Sequence, residues 1–201
     1  MFSEQQDKWL RRTEELFLRY GIKSITMDDV AREIGISKKT LYQFVENKDD
    51  LVSKVMDRHI AEQCTMDETI HGQATDAIDE MTNVVKQVVS EMQRMKPNVV
   101  HELQKYHRDV WERIQHFQWD HIYKVTLENI EWGRRDGLYR EDFDADVAAK
   151  FYINGSFAIF DDKVFPKSQY SFDKLFKEYI LNYLHGIVSD KGRELLKSKL
   201  G

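Results

Sequence analysis

Phe172, Leu175, Phe176, Tyr179, Ile180, Tyr183, Leu184, Ile187 and Val188 fall at offsets 0, 3, 4, 7, 8, 11, 12, 15 and 16 along one stretch of the chain. Only an α-helix gathers that spacing onto one connected face. The same rhythm recurs in residues 4–20 through Trp9, Leu10, Thr13, Leu16, Phe17 and Tyr20, and in residues 77–95 through Ile78, Met81, Val85, Val88, Val89 and Met92. Residues 144–162 carry it again through Val147, Phe151, Asn154, Phe157, Ala158 and Phe160. Turn formers are scarce: 9 Gly and 2 Pro in 201 residues, where average usage would give about 24. Many short strands have no room, and the expected class is all-α.

Between the long periodic stretches lie shorter ones. Thr26, with Asp29 three residues on, has the pattern of a capping box, and Met27, Val30, Ala31 and Ile34 follow as a buried stripe. Gly35 stops that helix, since glycine enters the left-handed region at least cost. Ser37 caps a third helix with Leu41 and Phe44 or Val45 facing inward, and Asn47 caps a fourth that runs to about Glu68. Lys96-Pro97 breaks the run from 77, because proline disfavours helix in the residue before it. An aromatic-rich helical stretch over about 98–133 follows. The tail from Asp190 is polar and expected to fray. About nine helices result: a three-helix amino-terminal domain, residues 1–50, and a larger helical bundle, residues 51–201, with the boundary inside a helix.

Composition excludes several classes. One cysteine, Cys64, precludes an intrachain disulfide framework or a multi-cysteine zinc site. The first ten residues hold no apolar core of a signal peptide, and no run approaches 18 apolar residues, so a cytoplasmic protein is expected. His101, His107, His116 and His121 lack the i, i+4 spacing of a helical metal pair. Gly-rich phosphate loops, G-x-S-x-G and H-E-x-x-H are absent from the sequence. No metal, cofactor or enzymatic activity is expected.

Two short helices joined at Gly35-Ile36-Ser37, with small Ala31 at their crossing, have the pattern of a helix-turn-helix, whose second helix enters the DNA major groove. The second and fourth helices begin with acids (Asp28, Asp29; Asp49, Asp50), as the helix dipole favours, whereas the third begins with Lys38 and Lys39. Those lysines fit either an approaching phosphate or toleration in solvent.

Residues 8–60 resemble the amino-terminal DNA-binding domain of the TetR family of transcriptional regulators. The pattern T-x-x-D-V-A-x-x-x-G-I-S-x-x-T-L-Y-x-x-V-x-x-K-x-x-L runs from Thr26 to Leu51. The remaining two thirds resemble the family only in helical layout and length. The resemblance implies a repressor that binds a palindromic operator as a homodimer and is released by a small-molecule effector. It implies that Thr26 caps its helix and touches a phosphate, and that Ser37, Lys38, Lys39 and Thr40 meet base edges and backbone. Tyr42 would point to a phosphate or a thymine methyl, Gln43 to a base, and Lys48 to a phosphate. The sequence departs from the pattern at Lys39, often Gly, at Phe44, often Tyr or His, and at Val45, usually Phe. Phe44 and Val45 keep open a second reading, a ligand- or protein-binding helical module with a degenerate head.

The stripes in 144–162 and 172–188 are wider than a small monomer needs. Either they cover a core and a partner, or they are buried within their own subunit. The resemblance implies a four-helix dimer interface, with Phe157, Phe160, Phe172, Phe176, Tyr179, Tyr183 and Ile187 as candidates. Tyr106, Trp111, Phe117 and Phe151 are the candidate ligand-binding residues.

Overall fold

The computed structural model describes residues 2–95, 98–166 and 168–200. Among them are eleven α-helices and one π-helical turn. The first four helices are α1 (Glu4–Tyr20), α2 (Met27–Ile34), α3 (Lys38–Phe44) and α4 (Lys48–Gln73). Then come α5 (Ala77–Arg94), α6 (Val99–Tyr106), α7 (Arg108–Phe117), the π turn (Gln118–Ile122) and α8 (Tyr123–Arg135). The last three are α9 (Ala145–Ala158), α10 (Phe172–Ile187) and α11 (Asp190–Leu200).

Local hydrogen bonds set the early helix ends. Ser3 and Gln6 form a reciprocal capping box on α1, and Thr26 and Asp29 form another on α2. Gly35, at φ 75°, ends α2 in the left-handed region. The Ser37 hydroxyl accepts from the Thr40 N–H at 3.0 Å, and Asn47 Oδ1 from the Asp50 N–H at 2.9 Å.

The chain forms two compact units. The first comprises Met1–Thr65 with Gln93–His116, the second Met66–Met92 with Phe117–Gly201. In the first, Leu10, Phe17, Val30, Ile34, Leu41, Leu51, Val52 and Val55 pack with Val99, Leu103 and Val110. Beside that core lies an ion cluster around the buried Arg58, which reaches Glu14 at 2.5 Å, Glu62 at 3.0 Å and Asp7 at 3.1 Å. In the second unit, Ile78, Tyr139, Ile153, Phe176, Ile180, Leu184 and Leu196 form the core. There Asn129 donates to Glu80 at 2.6 Å and accepts from the Tyr139 hydroxyl at 3.0 Å.

Two regions differ from the sequence reading, and together they raise the helix number above nine. The stretch 98–133 is not one helix. His107, at φ −133° and ψ 58°, leaves the helical region, separating α6 from α7, and its buried ring lies 3.1 Å from Asp49. The tail from Asp190 is not frayed: it forms α11, with Leu196 fully buried and Lys199 3.1 Å from both Asp76 and Asp79. The expected Lys96-Pro97 break lies outside the described residues.

Candidate nucleic-acid interface

Leu41, completely buried, and Val45, at 2% exposure, anchor α3 to the first unit. Their positions leave Lys38, Lys39, Tyr42 and Gln43 on the opposite, exposed face, with Ser37 exposed at its start and Thr40 half-buried behind it. Tyr42 is 44% exposed, a large ring held in water by a short, well-anchored helix. Val45 fills the position that the resemblance gives to Phe without leaving itself exposed. Phe44 packs edge-to-face on Trp9, centroids 5.9 Å apart, and on Phe2 at 6.4 Å. Its departure from the pattern is therefore taken up by packing onto α1.

The polar groups around this face are held in fixed relations. The Lys38 ammonium pairs with Asp28 at 2.9 Å, which raises its pKa, and both side chains remain more than half exposed. The Thr26 hydroxyl donates to Asp29 at 2.6 Å and accepts from the Asp29 N–H at 3.2 Å. Those bonds from Thr26 hold the Asp29 carboxyl below its usual pKa. Lys48 Nζ donates to the Ile25 carbonyl at 2.5 Å and reaches the Lys23 carbonyl at 3.4 Å. Partial burial lowers its pKa. Thr26, α3 and Lys48 thus border one surface, because the loop before α2 and the start of α4 are tied by the Lys48 side chain.

The other candidates are placed differently. Tyr106 is 47% exposed and Trp111 half-buried, both in the first unit, while Phe117 and Phe151 belong to the second. Phe117 stacks on His121 at 4.9 Å, and Phe151 is 73% exposed on α9. Tyr106 and Phe151 are surface residues, contrary to the expectation of a pocket lining. An open groove of about 670 Å³ in the second unit is lined by His71, Leu127, Trp132 and Arg135, among others, and by none of the four. Sequence reasoning missed the His121–Asp67 pair, at 2.9 Å, and the Glu80–Asn129–Tyr139 network, because partners 54 and 49 residues apart leave no local spacing signal. Burial raises the Asp67 pKa.

Of the interface candidates, Phe157, Phe160, Phe172, Tyr179 and Tyr183 are half-buried, with Phe160 and Phe172 rings 5.3 Å apart. Phe176 and Ile187 require correction. They are 5% and 4% exposed and lie in the core of their own unit, so neither presents a free surface.

Comparison with known proteins bears on the exposed face of α3. Residues 10–55 match the family described as bacterial regulatory proteins, tetR family. That match covers the amino-terminal helices alone, which resemble the head of the TetR family. An uncharacterized HTH-type transcriptional regulator, YvaF of Bacillus subtilis, is 35% identical over 79 residues, covering 39% of this chain and 38% of that protein. A transcriptional regulator from Cytophaga hutchinsonii shares the fold at TM-score 0.76 and 16% identity, over 93% of this chain and 100% of that one. SCO4454, a TetR-family regulator from Streptomyces coelicolor, does so at TM-score 0.63 and 19% identity, over 92% and 96%. The TetR-like fold thus extends over both units, while the sequence match is confined to the head.

Proposed function

We propose that this chain is a sequence-specific DNA-binding transcriptional regulator, a repressor that binds a palindromic operator as a homodimer and is released by a small-molecule effector. The observation that carries the reading is the exposed face of α3, where Lys38, Lys39, Tyr42 and Gln43 project from a tetR-family head. Lysines there neutralise phosphate or reach guanine O6/N7, and glutamine reads adenine. Thr26, Ser37, Thr40 and Lys48 fix the register by backbone contacts. No chemical step is assigned, and the protein acts in the cytoplasm; none of its helices among the described residues is long and apolar enough to cross a membrane.

A dimer gives the palindrome its purpose, since two recognition helices meet half-sites one DNA turn, about 34–36 Å, or a multiple apart. Phe151 and Val147, 73% and 44% exposed on α9, support a partner surface there, beside the half-buried Phe157 and Phe160. An effector that prefers the non-binding form shifts the population away from DNA.

The test is fluorescence anisotropy with a duplex that the protein selects from a random library. Tyr42→Ala or Lys39→Ala is expected to weaken binding about 5–150-fold, the range for loss of a good base contact. Unchanged affinity in both variants refutes the assignment of α3 as the reading helix.

A further inference from the structure

The α1–α2 loop brings a second basic group to the surface, away from α3. Lys23 Nζ lies 5.2 Å from the Tyr106 ring centroid, and Lys105 Nζ lies 5.3 Å from the same centroid. Both lysines are exposed. Among the described residues, neither has a carboxylate within ion-pair distance. The nearby acids are engaged elsewhere. Buried Glu102 accepts from the Lys23 N–H at 2.8 Å and from the Asn98 side chain. Asp49 sits 3.1 Å from the His107 ring, and Glu112 takes Arg108 at 3.0 Å. Two exposed ammonium groups therefore stand beside one exposed phenol, with no carboxylate paired to either among the described residues. The two cations lower the Tyr106 pKa, which makes its hydroxyl a better donor. Like charges held at one ring repel, and an external oxyanion relieves that repulsion while accepting from all three groups.

The position of this cluster favours one occupant. Lys48 Nζ bonds the carbonyls of Lys23 and Ile25, so the loop that presents Lys23 is the one that leads into Thr26. The Lys23 backbone is in turn fixed to α6 through Glu102, which holds Lys105 and Tyr106 alongside. The Lys23 backbone thus adjoins Lys48 at the start of α4.

We infer that Lys23, Lys105 and Tyr106 form an auxiliary phosphate-binding patch that grips the DNA backbone outside the helix-turn-helix. The inference rests on the DNA-binding reading above. It assigns to α6 a share in affinity and none in sequence choice, because phosphate contacts carry no base information.

The experiment measures affinity of the full chain for the selected duplex against salt concentration. Each phosphate contact contributes about 0.9 to the slope of log K against log salt. Lys23→Gln and Lys105→Gln are each expected to reduce that slope by about one unit per bound protomer. Tyr106→Phe, which keeps the ring and removes the donor, is expected to weaken binding severalfold. Lys23→Arg/Lys105→Arg keeps the slope, and the selected sequence is unchanged in every variant. A Lys23→Gln/Lys105→Gln protein with the original slope and affinity overturns the patch, and the α3 reading stands where Tyr42→Ala still weakens binding. Absence of salt-dependent binding in the unsubstituted protein overturns the patch together with the reading beneath it. The residues are exposed, and unchanged circular-dichroism melts establish that each variant is folded.

Discussion

Arg58→Ala is the substitution whose cost the geometry defines best. The guanidinium is 4% exposed and spreads its donors over Glu14 at 2.5 Å, Glu62 at 3.0 Å and Asp7 at 3.1 Å. Asp7 and Glu62 are 43% and 42% exposed, so water takes over their hydrogen bonds and their loss matters little. Glu14 is different: its side chain is 10% exposed, and after truncation its carboxylate keeps, among the described residues, only the His59 ring at 2.7 Å. Stranding one partner of a buried pair costs about 3–5 kcal/mol. For a chain of this size each kcal/mol lowers Tm by about 2–4 °C, so a fall of about 6–20 °C is expected in thermal melts at fixed protein concentration. Arg58→Met/Glu14→Leu removes both charges and keeps apolar volume, and it should recover most of the loss. A single variant that melts within about 2 °C of the parent refutes the reasoning, because less than about 1 kcal/mol would then depend on the pair.

Three further outcomes follow from other sites. A Cβ on Gly133 would lie 2.1 Å from Tyr139 Cδ2, so Gly133→Ala is expected to destabilise by about 1–3 kcal/mol through overpacking, read in urea melts; unchanged stability refutes the close packing. The Asp29 carboxyl has its pKa lowered by the Thr26 bonds, so its contribution is complete above the ordinary carboxylate value and disappears as pH falls through the depressed one. The stability difference between the parent and Asp29→Asn should therefore be constant near neutrality and shrink on acidification; a difference that grows in acid contradicts the capping box. Phe151→Glu, placing a charge where a 73% exposed ring stands, should convert the proposed dimer to monomer in sedimentation velocity, and a persistent dimer removes α9 from the proposed interface.

The head was legible in the sequence because its helix ends are encoded by neighbours. Thr26 finds Asp29 three residues away, Ser37 finds Thr40, and Gly35 supplies a left-handed turn. The exposed side of α3 was equally legible, since Leu41 and Val45 fix which side faces inward. The break at His107 was not, because no glycine or proline marks it and the partner of its ring, Asp49, is distant in sequence. The order of the tail escaped for the same reason: Lys199 meets Asp79 across 120 residues. On α10 the wide apolar stripe was plain, yet periodicity alone cannot divide one helix between its own core and a partner. Phe176 and Ile187 fell on the inner side.

Lys48 carries a further consequence. Its ammonium already spends protons on two loop carbonyls, so the long side chain is immobilised before any anion arrives. A freely rotating lysine gives up as much as about 2 kcal/mol of rotamer entropy on being ordered. In the proposed phosphate contact Lys48, already ordered, would lose little of that, and the corresponding fraction of its attraction would survive as affinity.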